Sequence, residues 1–145
     1  MSPAVLFVMV FFGGMAVAIQ PSINARLAEK VGLIESSCIS FAVGALSLLL
    51  VVLFSGRGTI RGVFQASWWE FSGGLLGALF VTIAIFVVPR IGTAALMAVT
   101  IAAQLFTGLI LDHFGLFGFK ASPLDLKRIL GVAFLLLGAG LVFKR

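Results

Sequence analysis

The chain has 145 residues, of which 61% are hydrophobic and only 10% charged, with a mean hydropathy of +1.25. Soluble domains carry about a quarter charged residues on a solvated exterior, so this composition excludes an ordinary soluble domain and makes lipid part of the solvent. A net charge of +5 and a pI near 10.4 would suit nucleic acid in a soluble protein. Here the basic residues fall in short gaps between apolar runs, where membrane lipid phosphates are the natural partners and nucleic acid is not.

A helix needs about 20 apolar residues to cross the hydrocarbon core. The first run covers residues 4–25, has no charge, and ends at Arg26, Glu29 and Lys30. With no basic region ahead of it and no small-residue cleavage site, it reads as a retained membrane segment rather than a signal peptide. The second run covers 36–54 and stops at Ser55-Gly56-Arg57-Gly58; Cys38, the single cysteine, lies within it and excludes an internal disulfide. Residues 59–67 then lead to Trp68-Trp69, which read as interfacial anchors. The third run covers 71–88 and ends at Pro89-Arg90, and the fourth covers 93–111 and closes at Asp112-His113. After a loop with Pro123, the fifth covers 129–143; it is the shortest, and Lys127 and Arg128 are expected to snorkel. The expectation is an all-helical integral membrane protein, one membrane domain over 1–145 with five spans.

An odd span count puts the termini on opposite sides, so basic residues can be counted by side. The side of the N-terminus receives Arg57, Arg61, Lys120, Lys127 and Arg128. The other receives Arg26, Lys30, Arg90, Lys144 and Arg145. Single-topology membrane proteins favour the cytoplasmic side; here the bias is zero. The balance predicts dual topology and an antiparallel homodimer, the alternative being a homologous subunit of fixed, opposite orientation.

Lipid gives helices no hydrophobic drive to associate, so small and polar residues must hold them together. The third run offers Gly73-x-x-x-Gly77, the fourth Ala94, Ala98 and Ala102 on one face, and the fifth Gly131 and Gly138. In the first run Gln20 and Asn24 share a face, and Pro21 between them frees the carbonyl of Val17. Two readings stand: a solute site lined by neutral hydrogen-bonding groups, or inter-helical amide contacts with a kink. Ser37, Ser40, Gly44 and Ser47 lie close to one face of the second run. Thr100, Gln104 and Thr107 share a face of the fourth, and the Gln104 amide has too many donors and acceptors to be satisfied by its own helix. Glu70 and Asp112 sit at headgroup depth, either as interfacial charges or as a coupling carboxylate or cation-attracting vestibule. One cysteine and one histidine cannot make a zinc site alone. No phosphate loop or nucleophilic triad is present, so neither an enzyme nor a cofactor is expected.

Several segments together resemble a known family. They are Gln20-Pro21-Ser22-Ile23-Asn24 with Leu27, Ser40-Phe41-x-x-Gly44, Trp69 with Gly73-Gly74-x-x-Gly77, and Pro89-Arg90-Ile91-Gly92. The Gln104 segment follows, then Leu111-Asp112-His113-Phe114-Gly115, Pro123, Arg128 and Gly131. In this order they resemble the YdcZ family of small bacterial membrane proteins, with Ala103 standing where a glycine is expected. That family is placed in the drug/metabolite transporter superfamily, whose larger members resemble two inverted five-helix halves. The resemblance implies a bacterial inner-membrane location and one such half, completed by an antiparallel copy. The small multidrug exporters of that superfamily use a glutamate within the first helix, which this chain lacks.

The expected function is that of a small secondary transporter moving a small polar or amphiphilic solute through an antiparallel dimer. Gln20, Asn24, Ser40 and Gln104 are the expected solute contacts, with aromatic contact from Phe12 and Phe41. Glu70 and Asp112 are candidates for coupling or a vestibule. The alternatives are a small dual-topology ion channel and a non-transporting accessory subunit.

Overall fold

Long runs of Leu, Val, Ala and Phe without an internal glycine turn propagate as helix, and among the described residues the apolar runs fold as α-helices. The computed structural model describes residues 2–55, 58–118 and 120–143. Arg57, Lys144 and Arg145, which enter the charge balance, lie outside the described residues. The helices are α1 (Pro3–Val31), α2 (Leu33–Ser55), α3 (Ser72–Ile91), α4 (Thr93–Phe114) and α5 (Leu126–Phe143). Short 3₁₀ turns cover Ile60–Gln65 and Trp68–Phe71. The chain divides into two compact units, Met1–Arg90 and Ile91–Arg145.

The first unit begins with Ser2 capping α1 and Pro3 in its first turn, where a missing N–H costs nothing. Helix α1 passes through Pro21 and continues six residues beyond the expected boundary. Arg26, Glu29 and Lys30 are good helix formers, and Arg26 pairs with Glu29 at 2.7 Å. It stops at Gly32, whose φ of +103° and ψ of 160° suit glycine alone. Helix α2 starts one residue later and packs back along α1. At 29 residues α1 is about 44 Å long, well beyond a hydrocarbon core of about 30 Å, so its charged end reaches the headgroups. Helix α3 also outruns its expected end: Pro89 lies inside it, and the break comes at Gly92 (φ +84°). The Arg90 guanidinium folds back to donate to the Phe86 carbonyl and stacks 3.7 Å over the Phe86 ring. Val81, Ala84, Ile85 and Val88 form the buried face of α3, the i, i+3, i+4, i+7 pattern of an amphipathic helix.

In the second unit α4 and α5 lie side by side and antiparallel, packed through small residues such as Ala102 and Ala139, both buried. Gly115, in the left-handed conformation (φ +58°), ends α4 by donating to the Asp112 and Leu111 carbonyls. The following loop returns over that end, with Ser122 N–H donating to the Asp112 carbonyl at 2.8 Å and Leu124 N–H to His113 Nδ1 at 3.3 Å. Helix α5 starts three residues before the expected 129 because the Asp125 carboxylate accepts the Arg128 N–H at 2.7 Å.

Most of the large apolar side chains on these helices are exposed, among them Phe7, Phe11, Leu48, Phe54, Leu75 and Leu137. No soluble protein leaves so much contiguous apolar surface in water. Four helical segments, Pro3–Val31, Leu33–Ser55, Trp68–Ile91 and Thr93–Phe114, are long and apolar enough to cross a membrane, counted over the described residues.

Candidate functional site

The single-residue turn at Gly32 sets the register of the α1–α2 hairpin. Asn24 and Ser40 lie eight residues to either side of it, so an antiparallel return brings them together. The Asn24 amide donates to Ser40 Oγ at 3.0 Å, and the Asn24 carbonyl accepts the Ser36 hydroxyl at 2.7 Å. Asn24 is 6% exposed and Ser36 fully buried. One further turn along, Gln20 of α1 and Gly44 of α2 lie on either side of a cleft of about 290 Å³ with Ser40 and Phe41. The Gln20 side chain has no hydrogen-bond partner among the described residues, whereas one Asn24 N–H is committed to Ser40. Gln20 and Ser40 therefore give a polar end to an otherwise apolar groove, and the buried Asn24 is held to it through Ser40. Phe12 is exposed on α1, away from this cleft.

A second polar contact ties α2 to α3. Thr82 donates to Ser37 Oγ at 2.9 Å, and Ser37 donates in turn to the Leu33 carbonyl at 3.1 Å. Gly77 approaches Phe41 so closely that an added Cβ would meet the ring at 3.3 Å, while Gly73 and Gly74 of the same motif face open space. Ser47 bonds its own helix through the Val43 carbonyl. Glu70 takes no part in the cleft: its carboxylate accepts the Ser67 N–H and caps the turn that opens into α3. The Ser67-x-x-Glu70 spacing is a capping box, a signal present in the sequence.

Gln104 belongs to a different cleft. It lies with Gly108 and Asp112 on the face of α4 that meets Arg128, Gly131 and Leu135 of α5 around about 360 Å³. Asp112 Oδ2 stands 3.5 Å from Arg128 Nη1. The expected solute contacts thus divide between the α1–α2 hairpin and the α4–α5 hairpin. Arg128, read from sequence as a snorkelling residue, is a lining residue of the second cleft; so is Gly131, read as a packing glycine. A partly buried arginine opposite an aspartate is set by helix register, which single-helix periodicity does not reveal. The Ala98 and Ala102 face of α4 packs along α5 beside Gly138 and Ala139, through apolar grooves without a polar lining.

Residues 5–141 match the family model described as "Putative inner membrane exporter, YdcZ". The chain is 32% identical over 142 residues to the Inner membrane protein YdcZ of Escherichia coli, covering 91% of this chain and 90% of that relative. No solved structure matches. The match runs nearly end to end, and the apolar exteriors of the helices demand the same solvent: this chain is a multi-pass inner-membrane protein that belongs to the YdcZ family.

Proposed function

We propose that the chain is a five-span secondary exporter that works as an antiparallel homodimer and moves a small polar or amphiphilic solute. Gln20, Asn24, Ser40 and Gln104 contact the solute, and Asp112 serves a vestibule at the membrane boundary. The family description as an exporter supports the class of function. The observation that carries the site is the meeting of Gln20 and Ser40 at one end of an apolar groove, with the buried Asn24 bonded to Ser40. Amides are costly in hydrocarbon unless they find partners, and Gln20 has none among the described residues. Helix α5 supplies the fifth span: its 18 residues reach about 27 Å, and Lys127 at its start extends that to the headgroups. Inverted repeats with a site near their interface are a common basis of alternating access, and the balanced basic residues supply the inversion.

Two experiments test the reading. Single cysteines at Ser2 and Arg145, in a Cys38→Ser background, are labelled in intact cells; each terminus should label in about half of the molecules. Labelling of each terminus from one side only rejects the homodimer. The second compares solutes released by cells expressing the wild type, Gln20→Ala, or neither. Wild type should enrich at least one small polar or amphiphilic solute outside, and Gln20→Ala should lose most of that enrichment at equal amounts of folded protein. Identical profiles for all three reject export.

A further inference from the structure

Arg128 carries a nitrogen, Nη1, whose donors the protein leaves unspent. Its side chain is 39% exposed, yet Nη1 is enclosed and makes no hydrogen bond among the described residues. The Asp112 carboxylate, 3.5 Å away, is farther than the ~2.7–2.9 Å of a charge-assisted hydrogen bond. Asp112 is itself 56% exposed. What this end of the cleft lacks is therefore an acceptor, not a cation. Gln104 lies eight residues deeper along α4, about 12 Å at the helical rise, and its amide has no partner among the described residues. Between the two, Leu109, Val132 and Leu135 give an apolar wall.

We propose that the α4–α5 cleft binds a small organic anion: a carboxylate held by Arg128, an aliphatic body along the leucine and valine wall, and a distal hydroxyl or amide hydrogen-bonded to Gln104. The proposal rests on the export reading, for which it names the class of solute. The two polar ends select this occupant over a phospholipid. A lipid phosphate would satisfy Arg128, but its acyl chain would lay methylenes against the Gln104 amide and leave that amide unpaired. Asp112 has a stated part. In the empty cleft it keeps the arginine charge balanced, because an uncompensated charge in a partly buried site is costly. When the carboxylate arrives, Arg128 exchanges Asp112 for it and Asp112 turns to water; the two protein charges still cancel, so the net charge of the mouth becomes that of the solute.

The test uses the purified full-length protein in detergent micelles and three eight-carbon probes: radiolabelled ω-hydroxyoctanoate, with octanoate and octylammonium as competitors. A charge-assisted contact is worth about tenfold or more and a neutral amide contact about two- to tenfold. Wild type should prefer ω-hydroxyoctanoate to octanoate by about two- to tenfold and ignore octylammonium. Arg128→Gln should weaken ω-hydroxyoctanoate about tenfold or more, and Arg128→Lys should retain part of the affinity, since a lysine supplies charge without the planar fork. Gln104→Leu should erase the preference for ω-hydroxyoctanoate over octanoate. Octylammonium competing as well as the anions overturns the proposal. So does equal binding by wild type and Arg128→Lys across all three probes. Displacement of ω-hydroxyoctanoate by phosphatidylglycerol but not phosphatidylcholine, with no preference over octanoate, assigns the cleft to a lipid headgroup and also overturns it. Should Arg128→Gln fail to fold, the wild-type probe series and Arg128→Lys still decide. Selective binding without release of any solute by cells rejects export and leaves the anion site standing. Gln20-dependent release with no anion selectivity rejects the anion site alone.

Discussion

The Asn24–Ser40 contact makes a quantitative prediction about the α1–α2 hairpin. Asn24→Ala removes the amide but not the backbone carbonyl that accepts the Ser36 hydroxyl at 2.7 Å, so the second inter-helical bond survives. The orphaned Ser40 hydroxyl can turn to its own helix backbone, and the loss should be about 1 kcal/mol. Ser40→Ala is different. It leaves the Nδ2 donor of a residue only 6% exposed without its acceptor at 3.0 Å, and a buried unsatisfied donor costs about 1–3 kcal/mol. Once Asn24 is alanine, Ser40→Ala should cost almost nothing. The double variant should therefore be less destabilised than the sum of the singles by the full wild-type cost of Ser40→Ala, about 1–3 kcal/mol. Equilibrium unfolding of the purified protein in mixed micelles of increasing dodecyl sulfate, followed by far-ultraviolet circular dichroism, gives all four stabilities. Additivity within about 0.3 kcal/mol would mean that the two side chains do not interact, and the assignment of this polar cluster would fall with it.

Two more predictions address the turn and the topology. Gly32→Ala forces a non-glycine residue to φ +103° and drives its Cβ into the Glu35 carboxylate; it should lose about 1–3 kcal/mol in the same unfolding assay, whereas Gly13→Ala, with open space around its Cβ, should lose nothing. Arg26→Gln with Lys30→Gln removes two basic residues from one side of a balanced count, so most molecules should adopt a single orientation; an unchanged labelling pattern at Ser2 and Arg145 would detach topology from charge.

The order of the helices was legible because long runs nearly free of charge fold as helix, and among the described residues four of them are long and apolar enough to cross a membrane. Their ends were less so. Arg26, Glu29 and Lys30 look like a boundary on a hydropathy scale, but hydropathy marks where lipid stops, not where helix stops, and α1 runs on to Gly32. Pro89 was similarly read as a terminator. A proline this close to the end of a helix removes one hydrogen bond and leaves the last turn to be ended by Gly92. In both places the decisive residue is a glycine with positive φ, and single-sequence periodicity carries no information on φ.

The same turn explains which part of the site could be read. Gln20 and Asn24 fall on one face by the helical repeat alone. Their partners across the hairpin follow only once the turn is placed at Gly32, since Asn24 and Ser40, then Gln20 and Gly44, stand at equal distances from it. Arg128 escaped because a long basic side chain beside a span looks the same in sequence whether it reaches outward to phosphate or inward to a cleft; the antiparallel register of α4 and α5 decides. Each cleft is built within one hairpin, so every copy of the chain carries both whatever its orientation. In the proposed mechanism, solute contact and dimer assembly are thus separable properties. Charge substitutions at Arg26 and Lys30 should act on orientation and leave both clefts intact. Substitutions at Gln20 or Arg128 act on a cleft, and Gln20 leaves the count of basic residues unchanged. A loss of transport that tracks orientation but not cleft chemistry would identify the dimer as the functional unit, because a single copy already holds every polar group assigned to the solute.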